Sequence, residues 1–135
     1  MNRLNQVQPV ALMVLRVVLG IIMLAHGYGK VFGGMHKHVE FVSSLGMPGW
    51  MAYPSAGAEF IGGILLIVGV ATRFAALAVL LDMLVAIFKV HLHQGLKGGY
   101  EFPLALATIA FMLIFYGGGP ISVDWLFGDS TERRH

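Results

Sequence analysis

The chain contains no cysteine and few charged residues: Asp, Glu, Lys and Arg together make up 12% of its 135 residues. The absence of cysteine excludes disulfides, thiolate metal ligands and any thiol redox cycle carried by this chain itself. Soluble domains contain about 25% charged residues, whereas residues 102–123 include no charged side chain at all. The composition therefore argues against a water-soluble domain. The net charge of +2 comes from scattered lysines and arginines, so we predict no nucleic-acid surface.

Hydrophobic residues, at 57% of the chain, are grouped into four long apolar stretches. A helix needs about 20 such residues to cross a bilayer, and each stretch has this length. We therefore predict one all-α domain over residues 1–135, an integral membrane four-helix transmembrane bundle. The predicted spans are Pro9–Phe32, Met51–Ala71, Arg73–Gln94 and Gly99–Gly117.

The connections between these spans differ in length. The longest, Met35–Gly49, contains a stretch from His38 to Leu45 whose apolar residues predict a short helix on the membrane surface. Between spans two and three, Gly69–Arg73 leaves no linker and predicts a tight antiparallel hairpin. An even number of spans puts both termini on one side. We assign that side to the cytoplasm, although the lysine and arginine counts do not choose between the two sides.

Ionisable side chains inside the spans are costly, so each one indicates a site or a structural pair. At 1.5 Å per residue, Arg16 lies about 9–10 Å from the terminal side and Asp82 about 13 Å from the same side. They are predicted to pair across spans one and three. The pair either fixes the register of the helices, or Arg16 holds an anionic or carbonyl-bearing ligand.

A second polar cluster is predicted toward the opposite side. Glu59 lies roughly 12 Å below that surface on span two, and His26 lies nearer the surface on span one. A desolvated carboxyl beside a titratable imidazole can carry both protonation states near neutral pH. Such a pair suits a proton relay or a quinone head group, but it also fits polar groups that only join helices. Lys30 and Glu101 are placed at the surface itself, and Lys89 between the surface and Glu59.

Two His-x-His pairs on the same side raise the alternative of a transition-metal site. The imidazoles are His36, His38, His91 and His93. Residues two apart on a helix point in different directions, so the pairs would converge only on extended or loop backbone. We therefore assign no metal site.

Glycines on spans one and two predict close helix packing. Ala58 and Gly62 form a small-x-x-x-small pair, and Gly20, Gly27 and Gly29 are expected to act likewise.

Taken in order, several of these features resemble the DoxX family of small four-helix bacterial membrane proteins over nearly the whole chain. They are Arg16 with Gly20, Gly27-x-x-Lys30, Gly46-x-Pro48, Glu59-x-x-Gly62-Gly63, Gly69-x-x-Thr72-Arg73, Glu101, and Ser122-Val123-Asp124 after a glycine-rich turn. The resemblance implies a multi-pass protein of the bacterial inner membrane.

The resemblance implies less about activity. Some relatives look like small subunits of thiosulfate:quinone oxidoreductases, others are linked with oxidative or thiol stress, and many have no assigned activity. The family's polar positions correspond to Arg16, Lys30, Glu59 and Glu101, which together with His26 form the expected quinone or proton site. Asp82 and the paired histidines look particular to this sequence.

The first functional hypothesis is a quinone-interacting small subunit or membrane anchor of an oxidoreductase system, without catalytic residues of its own. Quinone is the expected ligand, and no covalent cofactor is expected. Membrane lipid and an oxidoreductase partner are the expected contacts, within a homo- or hetero-oligomer. The alternatives are a carrier of a small metabolite or ion, and a structural membrane subunit whose ionisable residues only lock its helices.

Overall fold

The computed structural model describes residues 3–91 and 94–126, and every regular element within those ranges is helical. The helices are α1 (Arg3–Gln6), α2 (Gln8–Val31), α3 (Met35–Ser44), α4 (Ala52–Val68), α5 (Thr72–Ala86), α6 (Glu101–Tyr116) and α7 (Val123–Leu126). A 3₁₀ turn, Gly49–Met51, leads into α4. π-helical turns at Ile87–His91 and Leu96–Tyr100 follow α5 and precede α6. The all-α prediction is confirmed.

Local sequence explains where the helices begin and end. Pro9 lies in the first turn of α2, where the missing amide hydrogen would have no intrahelical partner. Gly69 ends α4 with φ +82°, a left-handed conformation that glycine adopts without steric cost. α5 then begins at Thr72, so the predicted tight hairpin is confirmed. The predicted surface helix is also present, as α3.

The four long helices pack in the order α2, α4, α5, α6. Helices α2 and α4 are in backbone contact: a Cβ added at Gly20 would lie 2.8 Å from the Gly63 carbonyl oxygen. The core between the helices is apolar and close-packed. Its fully buried members include Leu19, Met23, Leu66, Val79, Ala110 and Leu113.

The outer surface of the bundle is also apolar. Many large side chains point outward from the long helices, such as Val14, Ile21, Phe74, Phe111 and Phe115. Three helical segments are long and apolar enough to cross a membrane: Gln8–Val31, Gly49–Val68 and Leu96–Tyr116. The molecule is therefore a helical membrane protein whose exterior is suited to lipid.

The third predicted span differs from the other three. Helix α5 is 15 residues long, shorter than the roughly 20 residues of a complete crossing, and the π-helical turn changes its geometry after Ala86. Arg73 and Asp82 further lower its apolar character. The structure thus supports three of the four predicted crossings by length and composition, with α5 packed against α4 and α6.

Candidate functional site

A cavity of about 560 Å³ lies inside the bundle at the end where α2 finishes and α4 begins. Its wall is formed by α2, α4, α5 and α6, and α3 with the segment after it closes one side. Most of the lining side chains are apolar, among them Met23, Phe41, Met51, Leu81, Phe102 and Leu106. Six polar side chains also line the cavity: His26, Lys30, His38, Ser55, Glu59 and Asp82. An apolar cavity of this size with a few convergent polar groups is typical of a small-molecule site.

Lys30 and Glu59 form an ion pair on the cavity wall. Lys30 Nζ donates to both carboxylate oxygens of Glu59, at 2.8 Å to Oε1 and 2.6 Å to Oε2. The Glu59 side chain is only 3% exposed, and that of Lys30 is 31% exposed. A carboxylate this deeply buried requires a charged partner, and Lys30 provides it.

The contact of α2 with α4 explains how this pair forms. A Cβ at Gly27 would lie 2.4 Å from the backbone nitrogen of Phe60, so only glycine permits the two backbones to come this close. Lys30 is one turn beyond Gly27 on the same face of α2, and its long side chain extends inward to Glu59. The prediction that Lys30 lies at the membrane surface was therefore wrong for its ammonium group, which reaches the cavity wall.

The expected pairing of Glu59 with His26 does not form in the structure. His26 Nδ1 lies 2.8 Å from the carbonyl oxygen of Ile22, one turn earlier in the same helix. Its ring centroid is 6.1 Å from that of Phe102. His26 does line the same cavity as Glu59, so the two residues share a site while Lys30 occupies the position of direct partner.

Asp82 lies in the cavity wall and is held by Ser55. Ser55 Oγ donates to Asp82 Oδ1 at 2.5 Å, which links α4 to α5. The predicted ion pair of Asp82 with Arg16 is not formed. Asp82 is level with Ser55 in the first turns of α4, whereas Arg16 is level with Ile67 at the last turn of that helix. The two charges therefore lie toward opposite ends of the bundle.

Arg16 instead joins the chain segments at the terminal end of the bundle. Its Nη1 donates to the carbonyl oxygens of Gly118 at 2.7 Å and Ile121 at 2.9 Å, and its Nη2 lies 3.5 Å from the Ile67 carbonyl oxygen. The residue is 2% exposed. The depth calculated for Arg16 by counting residues from Pro9 was too large, because the first turns of α2 extend beyond the ends of α4 and α6.

Asp124 completes this terminal-end network. Its carboxylate accepts hydrogen bonds from the backbone nitrogens of Ala71 at 2.7 Å and Thr72 at 2.9 Å, which caps the start of α5. Its own backbone nitrogen donates to the Gly69 carbonyl oxygen at 2.9 Å. The Ser122-Val123-Asp124 motif thus has a structural role, tying the C-terminal segment to the hairpin of α4 and α5.

His38 is the polar residue that α3 contributes to the cavity. Burial and the positive charge of Lys30 lower the pKa of His38, while the Glu59 carboxylate and a backbone hydrogen bond at Ala52 act in the opposite direction. The imidazole is therefore neutral at pH 7 and supplies one N–H donor and one acceptor nitrogen.

The remaining predicted residues lie outside this cavity or outside the described side chains. Glu101 is exposed, and its Oε1 accepts from the Gly98 backbone nitrogen at 3.1 Å. His36 lies on the outer face of α3, 2.9 Å from Glu40. The side chain of His91 and the whole of His93 lie outside the described residues. Within residues 3–91 and 94–126, no three His, Cys, Asp or Glu side chains are grouped to hold a metal ion.

Sequence reasoning identified Glu59, His26 and Lys30 but missed how Ser55, His38 and Asp82 join them. Ser55 has an ordinary polar side chain near a helix start and gives no signal by itself. Asp82 was recognised as a buried charge, but it was paired with Arg16 because Arg16 was placed too deep in the bundle. One available signal was that α4 and α5 are antiparallel across a short turn, which sets Ser55 on the level of Asp82.

Comparisons with known proteins agree with this architecture. A model of the DoxX family matches residues 11–92. A Bacillus subtilis protein named "Putative oxidoreductase CatD" is 35% identical over 121 residues, which cover 90% of each chain. An uncharacterised Haemophilus influenzae protein is 34% identical over 137 residues, covering 92% of this chain and 96% of that protein. No solved structure matches the chain. By its sequence and its helical membrane fold, the chain belongs to the DoxX family.

Proposed function

We propose that this chain is a quinone-binding membrane subunit of an oxidoreductase system. The observation that carries the proposal is the apolar cavity of about 560 Å³, into which the Lys30–Glu59 ion pair projects. A quinone head group is an apolar ring with two polar oxygens, and the cavity offers both an apolar wall and a small polar region. The printed name of the Bacillus subtilis relative, "Putative oxidoreductase CatD", supports the oxidoreductase part of the proposal.

Each polar residue of the cavity would have a different role toward a bound quinone. The Lys30 ammonium donates to a ligand oxygen and remains oriented by Glu59, which is near enough to accept or return a proton. His26, beside Phe102 at the cavity wall, supplies an imidazole nitrogen for a hydrogen bond to the ligand. The chain has no cysteine, so we assign the supply of electrons to a partner oxidoreductase rather than to thiol chemistry here.

Ligand titration tests the proposal. The purified protein in lipid nanodiscs would be titrated with a decyl-substituted benzoquinone and separately with its hydroquinone under argon, following calorimetric heat. We expect saturable binding of one or both forms with one site per chain. Glu59→Gln should weaken that binding about tenfold, because the ion pair that orients Lys30 through two carboxylate oxygens is replaced by one hydrogen bond to an uncharged amide oxygen.

Glu101→Gln is the matched control, since it makes the same change at an exposed carboxylate outside the cavity. It should leave both affinities unchanged. If neither redox form binds to the wild-type protein, the quinone proposal is wrong, and the carrier or structural alternatives take its place.

A further inference from the structure

The polar groups in the cavity are unequally divided between hydrogen-bond donors and acceptors. Two of the three Lys30 N–H donors are used on Glu59, one on each oxygen. The single Ser55 hydroxyl hydrogen is used on Asp82. Among the described residues that line the cavity, the ammonium group and the serine hydroxyl are therefore largely engaged with the protein's own carboxylates.

Unused hydrogen-bond acceptor positions remain on the cavity wall, and most of them are on Asp82. Among residues 3–91 and 94–126, the hydrogen bond to Asp82 comes from Ser55 and reaches Oδ1. Within those ranges no hydrogen bond reaches Oδ2, and a carboxylate has about four acceptor positions in all. The lining also holds two carboxylates but a single ammonium group. Burial of a carboxylate with few donors costs free energy, so a ligand that donates a hydrogen bond to Asp82 is favoured over one that only accepts.

The two imidazoles do not reverse this balance. A neutral imidazole offers one N–H and one acceptor nitrogen, and His26 Nδ1 is within hydrogen-bond distance of the Ile22 carbonyl oxygen. His38 is held neutral by burial and by Lys30. In that contact the His26 N–H is used on the carbonyl oxygen, which leaves its other ring nitrogen as an acceptor, so neither ring supplies an excess of donors.

We infer that the cavity selects the reduced, hydroquinone form of its ligand over the quinone, and that Asp82, oriented by Ser55, makes the selection. This inference rests on the proposed function. A hydroquinone carries two O–H donors, one of which would reach Asp82 Oδ2, while a quinone carries two carbonyl acceptors that face this carboxylate unfavourably. The Ser55 hydrogen bond holds Asp82 through Oδ1, which leaves Oδ2 to accept from a ligand in the cavity.

The test compares the two redox forms on the same protein. Dissociation constants for a decyl-substituted benzoquinone and its hydroquinone would be measured under argon in nanodiscs, for the wild type, Asp82→Asn and Ser55→Ala. We expect the wild type to bind the hydroquinone at least tenfold more tightly, the ratio set by one charge-assisted hydrogen bond. Asp82→Asn should reduce the ratio to within about threefold, because the carboxamide can donate to a carbonyl. Ser55→Ala should reduce the ratio only in part, to a value between those of the wild type and Asp82→Asn, because the carboxylate keeps its charge but loses the hydrogen bond that orients it.

The possible outcomes distinguish a failure of the selectivity inference from a failure of the proposed quinone binding. Equal binding of both forms by the wild type overturns the selectivity and leaves quinone binding standing, whether or not the variants fold. Retention of the full preference in Asp82→Asn overturns the role of Asp82, and an unchanged ratio in Ser55→Ala overturns the orienting role of Ser55. No binding of either form overturns the function and the inference together.

Discussion

The absence of a side chain at Gly27 allows the Lys30–Glu59 pair to form. Any Cβ at this position would lie 2.4 Å from Phe60 N and 2.7 Å from Phe60 Cα, and backbone atoms of a packed helix cannot move aside as a side chain does. The Gly27-x-x-Lys30 spacing is therefore explained by geometry: the glycine brings the helices together, and the lysine one turn later uses the resulting proximity.

Gly27→Ala should destabilise the protein by about 1–3 kcal/mol or more, the usual cost of overpacking, because α2 and α4 must separate. The measurement is thermal unfolding in mild detergent. Gly29→Ala is the control on the same helix, since a Cβ there meets nothing within 4 Å. It should be neutral or stabilising by up to about 1 kcal/mol, the helix propensity gained over glycine. Equal losses in the two variants would contradict the proposed backbone contact.

Among the elements, α3 has the most direct influence on the cavity. It runs from Met35 to Ser44 between Gly33, at φ +121°, and Gly46, at φ +83°. Phe41 and Val42 line the cavity, as does His38, while His36 faces outward beside Glu40. The helix is thus a short amphipathic cover, with glycines at both ends permitting the sharp turns that set it over the bundle.

The docking of α3 should weaken as the pH falls. Burial and Lys30 lower the pKa of His38 in the folded protein, while the unfolded value is about 6.5. Between these two values the unfolded chain binds more protons, so stability falls with falling pH through this window and is constant above about pH 7. Hydrogen exchange of the α3 amides, corrected for intrinsic rates, should show less protection at pH 5.5 than at pH 7.5.

His38→Gln should remove this pH dependence, because glutamine does not titrate. His36→Gln provides the control, since it removes an exposed imidazole from the same helix, and it should retain the loss of protection at low pH. An unchanged pH profile in His38→Gln would show that another group controls α3.

At the scale of the whole molecule, the buried charges divide between two ends with different roles. Arg16 and Asp124 bind backbone groups of the α4–α5 hairpin and of the segment after α6, whereas Lys30, Glu59 and Asp82 line the cavity. The buried charges at the terminal end of the bundle therefore fit a role in holding the helices together. Those at the opposite end fit a role in binding a ligand.

Arg16→Met should lower stability without changing ligand affinity. Hydrogen bonds to charged groups contribute about 1.5–3 kcal/mol each, so we expect a loss on the order of 3 kcal/mol in the free energy of unfolding. Arg3→Met, the same change at an exposed arginine in α1, should cost little. Quinone affinity of the folded Arg16→Met protein should stay within about twofold of wild type. Weaker binding with unchanged stability would place Arg16 in the ligand site instead.

Hydropathy was sufficient to predict the helices, the α4–α5 hairpin and α3, because lipid requires long apolar segments whose limits glycine and proline mark. It placed Glu59, His26 and Lys30 in one region, and all three line the cavity, but it did not predict which of them form direct contacts. Glu59 was recognised as a buried carboxyl, but choosing Lys30 over His26 required the backbone contact at Gly27. Depth counting failed for Arg16 because helices of unequal length do not begin at the same level.

The most direct test of the account is native mass spectrometry of the protein released from its own membrane into lipid nanodiscs. The account predicts a bound quinone or hydroquinone at one per chain, together with an oxidoreductase subunit. The same preparation of Glu59→Gln should retain the subunit but lose most of the ligand. A ligand-free homo-oligomer of the wild-type chain would contradict the quinone site, and the cavity would then have a different function.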